Sequence, residues 1–397
     1  GMVDLTGIPL SEMTAEPEVE SQEPGNLVVE AGRRAAATWR RRSDMTTNVA
    51  KWEFAAYGLL LATTLGMRLW DLGARAMHHD ESLHALYSWN LFNDLNYQHN
   101  PMMHGPFQFE ANAAIFFILG DSDVTARLLY VVMGTALVAM PFLLRKRIGR
   151  LGAIFTAAAL TFSPTLLYFS RFARNDILMA VWAFGLVISM WRYLDDGKNR
   201  YLYFSAALMA LALGTKESAY LVIATLGLFL ALQVGAPTLS RLLRPVEIEG
   251  VSPPVAVGRV AKTLWVSYSQ GFDIAIISRP TAYLLLLVTL TLPLWSAFAA
   301  IFQDNLLWSW TNLVLAAPEG NPIIGSPIGG GKVIAFLIIV ALGGLGGLAG
   351  YRWNWGIWWR CALIFWIIWI LLYTTFGTNF FPGIRSGVWN SLGYWVV

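Results

Sequence analysis

The sequence predicts an all-α polytopic membrane protein of about nine transmembrane helices, and three observations carry that expectation. Of its 397 residues, 56% are hydrophobic and 13% charged, more apolar surface than a soluble chain of this size can cover with polar groups. The apolar residues fall into runs of spanning length separated by polar breaks. Most of the 28 Lys and Arg sit on alternate breaks, as the positive-inside rule requires of a chain whose N-terminus is cytoplasmic.

Residues 1–50 read as a disordered, basic cytoplasmic tail. Pro, Glu, Ser and Gly dominate up to Gly25, and Arg33, Arg34, Arg40, Arg41 and Arg42 follow as a membrane-proximal stretch. The tail holds no apolar h-region and is therefore not a cleavable signal peptide. Residues 51–397 read as one transmembrane domain. Its spanning runs are 52–70, 123–144, 151–169, 177–193, 201–215, 218–235, 281–302, 333–350 and 356–376; several are short and 201–215 with 218–235 also reads as one broken helix, so seven or eight spans is the alternative count. The first outer segment, 71–122, is expected to carry interfacial helices. Leu83, Leu86, Tyr87, Asn90 and Leu91 fit an amphipathic one, and Phe107 to Leu119, apolar but too short to span comfortably, reads as a second interfacial or a re-entrant helix. The inner segment 236–279 suggests a further surface helix near 259–277, and 303–332 an outer loop. The glycines at 343–350 lie inside an apolar span, which favours close helix packing over a phosphate loop. The lone Cys361 excludes an internal disulfide.

This orientation puts four polar clusters on one outer face: His78–Glu81, Arg171–Asp176, Lys216–Glu217 and the stretch from Thr378 to Ser391. Asp80 and Glu81 are adjacent, so on a helix they diverge by about 100° and take separate jobs. One can accept a proton while the other orients a backbone or a cation; capping of the following helix is the plainer reading. Arg171 and Arg174 lie three apart and can grip one phosphate, with Asp176 balancing them or completing an acidic site with Asp80; snorkelling anchors are the plainer reading. Lys216 and Glu217 form either a self-neutralising pair or a partner for an anionic leaving group. Arg127 is read as structural, paired with Asp121 or Asp123. Asp80 and His84 share a helix face, so His78, His79 and His84 are candidates to hold a divalent metal, against plain interfacial hydrogen bonding.

Asp80-Glu81 after the first span, His104-Gly105-Pro106-Phe107 before an apolar helix, and Gly120-Asp121-Ser122 through Arg127-Leu128 together resemble the GT-C superfamily of polytopic glycosyltransferases. That superfamily includes the protein O-mannosyltransferases and the lipid A aminoarabinose transferase, and its flippase-activity-associated membrane branch resembles this chain most. The resemblance implies a GT-C-like bundle in a prokaryotic plasma membrane, working on the outer, non-cytoplasmic face. It implies a polyprenyl-phosphate-linked sugar donor, with the acceptor (protein, lipid or glycan) unspecified and no nucleic-acid partner. It casts Asp80 as general base and Asp176 as a second acid. The residues themselves add Glu81 as a further catalytic candidate and Arg171, Arg174, Lys216, Glu217 and His104 as candidates for substrate binding, and a single base carboxylate predicts inversion at the sugar. The stretch Tyr394–Val397 resembles a motif that continues into more membrane helices in the family, so a C-terminally truncated domain is expected. A non-catalytic flippase or transport-associated protein of a sugar-lipid pathway is the alternative.

Overall fold

The computed structural model describes residues 51–95, 97–243, 277–303, 313–321 and 323–397. The tail over 1–50 and the surface helix expected near 259–277 lie outside the described residues. Among those described the chain is all-helical, with a single isolated bridge between Val314 and Ile328.

Helix α1 runs Lys51–Leu69, and α2, His79–Phe92, follows a short loop. A 3-10 turn at Pro101–Met103 leads into α3, Phe107–Leu119, so both helices expected in the first outer segment are present. Helix α4, Asp123–Ala139, starts at a Ser122 cap whose hydroxyl accepts from the Thr125 amide. A 3-10 turn joins it to α5, Arg145–Phe162, and the backbone breaks at Gly149, where φ is 78°. Next come α6, Pro164–Phe169; α7, Asp176–Asp196; α8, Arg200–Leu213; and α9, Ser218–Leu243. Helix α10, Arg279–Thr291, continues as a 3-10 helix to Phe302; α11 covers Gly331–Tyr373 with a break at Asn354. The short α12, Phe380–Arg385, and α13, Ser391–Val396, end the chain.

Five helical stretches among the described residues are long and apolar enough to cross a membrane: Asp123–Phe162, Asp176–Asp196, Ser218–Gly235, Arg279–Phe302 and Gly331–Tyr373. The sequence counts nine runs partly because two of these stretches are single helical units interrupted at Gly149 and Asn354, where it sees two runs each. The stretch 200–243, in contrast, is divided into α8 and α9 by the turn at 214–217.

One core runs through the bundle. Tyr130, Leu178, Leu186, Met209, Tyr283, Leu286, Phe365 and Trp369 are all fully buried in it, while Phe155, Leu221 and Phe336 stand on the outside, so the bundle is apolar within and without, as a helix hydrophobic all round is in a membrane. The helices approach closely where side chains are smallest: a Cβ at Gly346 would strike the Thr289 carbonyl of α10. Helix α7 separates two polar ends by roughly 30 Å, about the thickness of a bilayer core. At its C-terminal end Arg147 pairs with Asp195, and Arg279 donates to the carbonyls of Leu194 and Asp195. At its N-terminal end lie Arg174 and Asp176.

Candidate functional site

Helix α2 begins with a cap built from its own sequence. His78 Nδ1 accepts from the Asp80 amide, and the Glu81 carboxylate accepts from the His78 amide at 3.1 Å. This fixes the fates of the two adjacent acids. Glu81 turns inward and is fully buried, whereas the Asp80 carboxylate remains 35% exposed.

Glu81 is a structural hub. Arg127 grips it through two bonds, Nε to Oε1 at 2.9 Å and Nη2 to Oε2 at 3.1 Å. Arg75 adds a third bond at 2.9 Å and the Ala173 amide a fourth at 3.0 Å. Burial pushes its pKa up, but the Arg127 bonds and the Ala173 and His78 amides outweigh that and hold it below the ordinary glutamate value. Arg127 was expected to pair with Asp121 or Asp123; it pairs with Glu81 and also donates to the carbonyls of Leu72 and Arg75. Asp121 instead accepts from the Trp89 indole at 2.7 Å.

The segment Arg171–Asp176 is pinned from three sides. Arg171 donates to the carbonyls of Trp70 and Asp71 at the end of α1, so it does not join Arg174 around a shared anion. The Ala173 carbonyl accepts from His84 Nδ1 at 2.9 Å, and the Asn175 amide group donates to the Thr215 carbonyl at 3.0 Å. Arg174 and Asp176 are half-exposed and free to face each other. Arg174 sits between two carboxylates, 3.0 Å from Asp80 and 3.5 Å from Asp176, and Lys216 Nζ reaches the other oxygen of Asp176 at 3.1 Å. Asp80, Arg174, Asp176 and Lys216 thus form one continuous half-exposed chain of alternating charge.

The loop carrying Lys216 is stitched to the one carrying His104. The amides of Gly105 and Phe107 donate to the carbonyls of Thr215 and Gly214, and no side chain fits at Gly105, where a Cβ would run into Gly214. His104 has φ 68° and ψ −163°, a region that side-chain-bearing residues rarely occupy. Its Nδ1 lies 2.8 Å from Glu217, its ring stacks on Trp395, and its carbonyl accepts from His99 Nε2 at 2.9 Å. Burial lowers the His99 pKa to about 4, so this imidazole is neutral.

Among the described residues no group of three or more His, Cys, Asp or Glu side chains is placed to hold a metal ion. His78 caps α2, His84 Nδ1 is taken by the Ala173 carbonyl, and burial lowers the His84 pKa. His79 is exposed at the start of α2.

Sequence reasoning overlooked His99, Trp395 and the fixing role of Asn175, none of which carries a local signal. It also passed over Glu110 on α3, a buried acid whose two oxygens have no hydrogen-bond partner; burial raises its pKa to about 9.

The fold and site define a class: an all-helical protein with membrane-length helices and a cluster of acids and cations at one end of the bundle. Residues 103–244 match the family model described as dolichyl-phosphate-mannose-protein mannosyltransferase. The match supports the GT-C resemblance and a glycosyltransferase of the mannosyltransferase type. It spans His104, Arg174, Asp176, Lys216 and Glu217 but begins after Asp80 and Glu81. No curated protein and no solved structure matches the chain.

Proposed function

We propose that the protein is an inverting GT-C-type glycosyltransferase of a prokaryotic plasma membrane. It moves a sugar from a polyprenyl-phosphate donor to an acceptor at the non-cytoplasmic face. The observation that carries this reading is Arg174 held between Asp80 and Asp176, with Lys216 beyond; of these, Arg174, Asp176 and Lys216 lie inside the segment that matches a mannosyltransferase family.

Glycosyl transfer from a phosphate needs a base for the acceptor and positive charge for the departing phosphate. Asp80 takes the proton of the acceptor hydroxyl. The acceptor oxygen then bonds to the anomeric carbon as the bond from that carbon to the phosphate oxygen breaks, and the electron pair leaves with the phosphate. Arg174 and Lys216 receive the charge. One carboxylate base suffices for a single displacement with inversion, without the second close carboxylate that a covalent intermediate requires.

The donor phosphate competes with the two carboxylates for Arg174. Its arrival loosens the contact to Asp80 and frees that carboxylate for the acceptor proton. Asp176 holds Arg174 and Lys216 at the right spacing. Glu81, with all its bonds directed to Arg127, Arg75 and two backbone amides, positions Asp80 and takes no proton itself. His104 with Glu217, under Trp395, forms the wall of the site, and Arg171 acts as an anchor for α1. The distribution of Lys and Arg along the sequence supports an N-terminus inside and, with it, a cluster on the outer face.

The test is release and transfer of label from a radiolabelled polyprenyl-phosphate hexose by purified protein in lipid, with and without Asp80→Asn. Turnover that depends on Asp80 is the expected result. Donor binding without turnover in the unaltered protein would replace the enzyme by a non-catalytic component of a sugar-lipid pathway.

A further inference from the structure

A cleft of about 590 Å³ lies between the 97–102 loop and the C-terminal helices α12 and α13, within the size range of small-molecule sites, about 300–1,000 Å³. It borders the acid–cation cluster without belonging to it. Its wall includes His99, which is bonded to the His104 carbonyl, and Tyr394, whose neighbour Trp395 stacks on His104.

Three lining residues carry a buried side-chain polar atom with no hydrogen-bond partner: the Tyr97 hydroxyl, Ser326 Oγ and Asn390 Oδ1. Each is at least nine-tenths buried. Buried polar groups are nearly always paired, and three unpaired ones around one cleft call for a ligand that supplies partners. Two of the three are hydroxyls and the third is an amide oxygen, so the matching ligand must both donate and accept, as sugar hydroxyls do. Tyr87, Tyr97 and Tyr394 also line the cleft and add aromatic surface, which suits a sugar's C–H groups.

Charge narrows the class. Arg385 lines the cleft, is exposed, and has no ion-pair partner among the described residues, and no Asp or Glu lines the cleft. A guanidinium without a counter-ion beside polar side chains selects a carboxylate or phosphate.

We propose that this cleft is a binding subsite for the acceptor, a hydroxyl-rich saccharide that carries negative charge. Arg385 takes the anionic group, and Tyr97, Ser326 and Asn390 take the hydroxyls. The word acceptor rests on the transferase reading above, while the binding of an acidic saccharide does not. The donor phosphate is assigned elsewhere, to the two cations Arg174 and Lys216 beyond the His99–His104 wall.

The experiment is equilibrium binding of a labelled oligogalacturonate, and of its neutral methyl ester, to the purified full chain. Tenfold or stronger preference for the acid form is expected. Arg385→Gln, an exposed change that leaves the fold intact, abolishes the preference, and Arg385→Lys keeps part of it. Equal binding of acid and ester overturns the anionic class, and absent binding, or a preference that survives Arg385→Gln, overturns the site. Displacement of the oligogalacturonate by farnesyl-phosphate mannose overturns the acceptor assignment in favour of the donor head. Loss of transfer with binding retained would count against the enzyme reading alone.

Discussion

Glu81 and Arg127 meet as a buried bidentate ion pair at 2.9 and 3.1 Å, while Asp80, one residue earlier, faces outward. The pair ties α2 to α4, and Arg127 continues to the 72–75 loop. Removing one partner strands the other as an uncompensated buried charge. Glu81→Gln or Arg127→Gln should therefore lower stability by about 3–5 kcal/mol, read as a fall in melting temperature in detergent. Because the Glu81 pKa is depressed in the folded state, its stabilisation is present above the unfolded value near 4.5 and is lost as pH falls through the folded one. Glu81→Gln should flatten that acid limb.

Asp80→Asn should leave the melting temperature unchanged and lower transfer by about 10²–10⁴-fold, the range for removing a general base. The comparison with Glu81→Gln separates the two neighbours: one change stops chemistry, the other weakens the fold. Equal thermal losses for both would remove the distinction between them.

Arg174→Gln should lower turnover by about 100-fold or more, with a smaller loss for Arg174→Lys, which keeps charge but not the fork. Arg171→Gln should be milder in turnover and visible mainly in stability, since its partners are the carbonyls of Trp70 and Asp71. Steady-state transfer assays on the three variants, set beside their melting curves, provide the check.

Glu110 gives the opposite pH signature to Glu81. Its folded pKa is raised by burial from 4.5 to about 9, so between those values the folded state keeps a proton that the unfolded chain has released. Stability should fall as pH rises across that window and level off above it. Glu110→Gln should remove the slope and leave the protein more stable at pH 8.5, as measured by melting temperature against pH.

The helices of the outer segment were readable because hydrophobic period and length are local properties: Phe107–Leu119 is a helix with the bounds the sequence suggests. The gathering of Asp80, Arg174, Asp176 and Lys216 at one end was also readable, since greasy helices have few places to put charge. Partners were not. Arg127 lies four residues after Asp123, and sequence distance favoured that acid, yet the buried carboxylate 46 positions away won because only Glu81 is desolvated beside it. Arg171 and Arg174 share a spacing that suits one phosphate, but the turn between α6 and α7 sends them to different neighbours. The orphan atoms of Tyr97, Ser326 and Asn390 come from three distant segments, and only packing brings them to one cleft.

A single oxygen has an outsized mechanical consequence. The Thr215 carbonyl accepts from the Asn175 side chain and from the Gly105 backbone amide. The loops that bear Arg174 and Asp176, His104, and Lys216 and Glu217 therefore share one hinge pin. A ligand that tugs any of them tugs all three, so this end of the bundle yields as a single plate instead of as separate flaps. Substitutions on different loops will interact in their effects instead of adding, even where the altered side chains never touch.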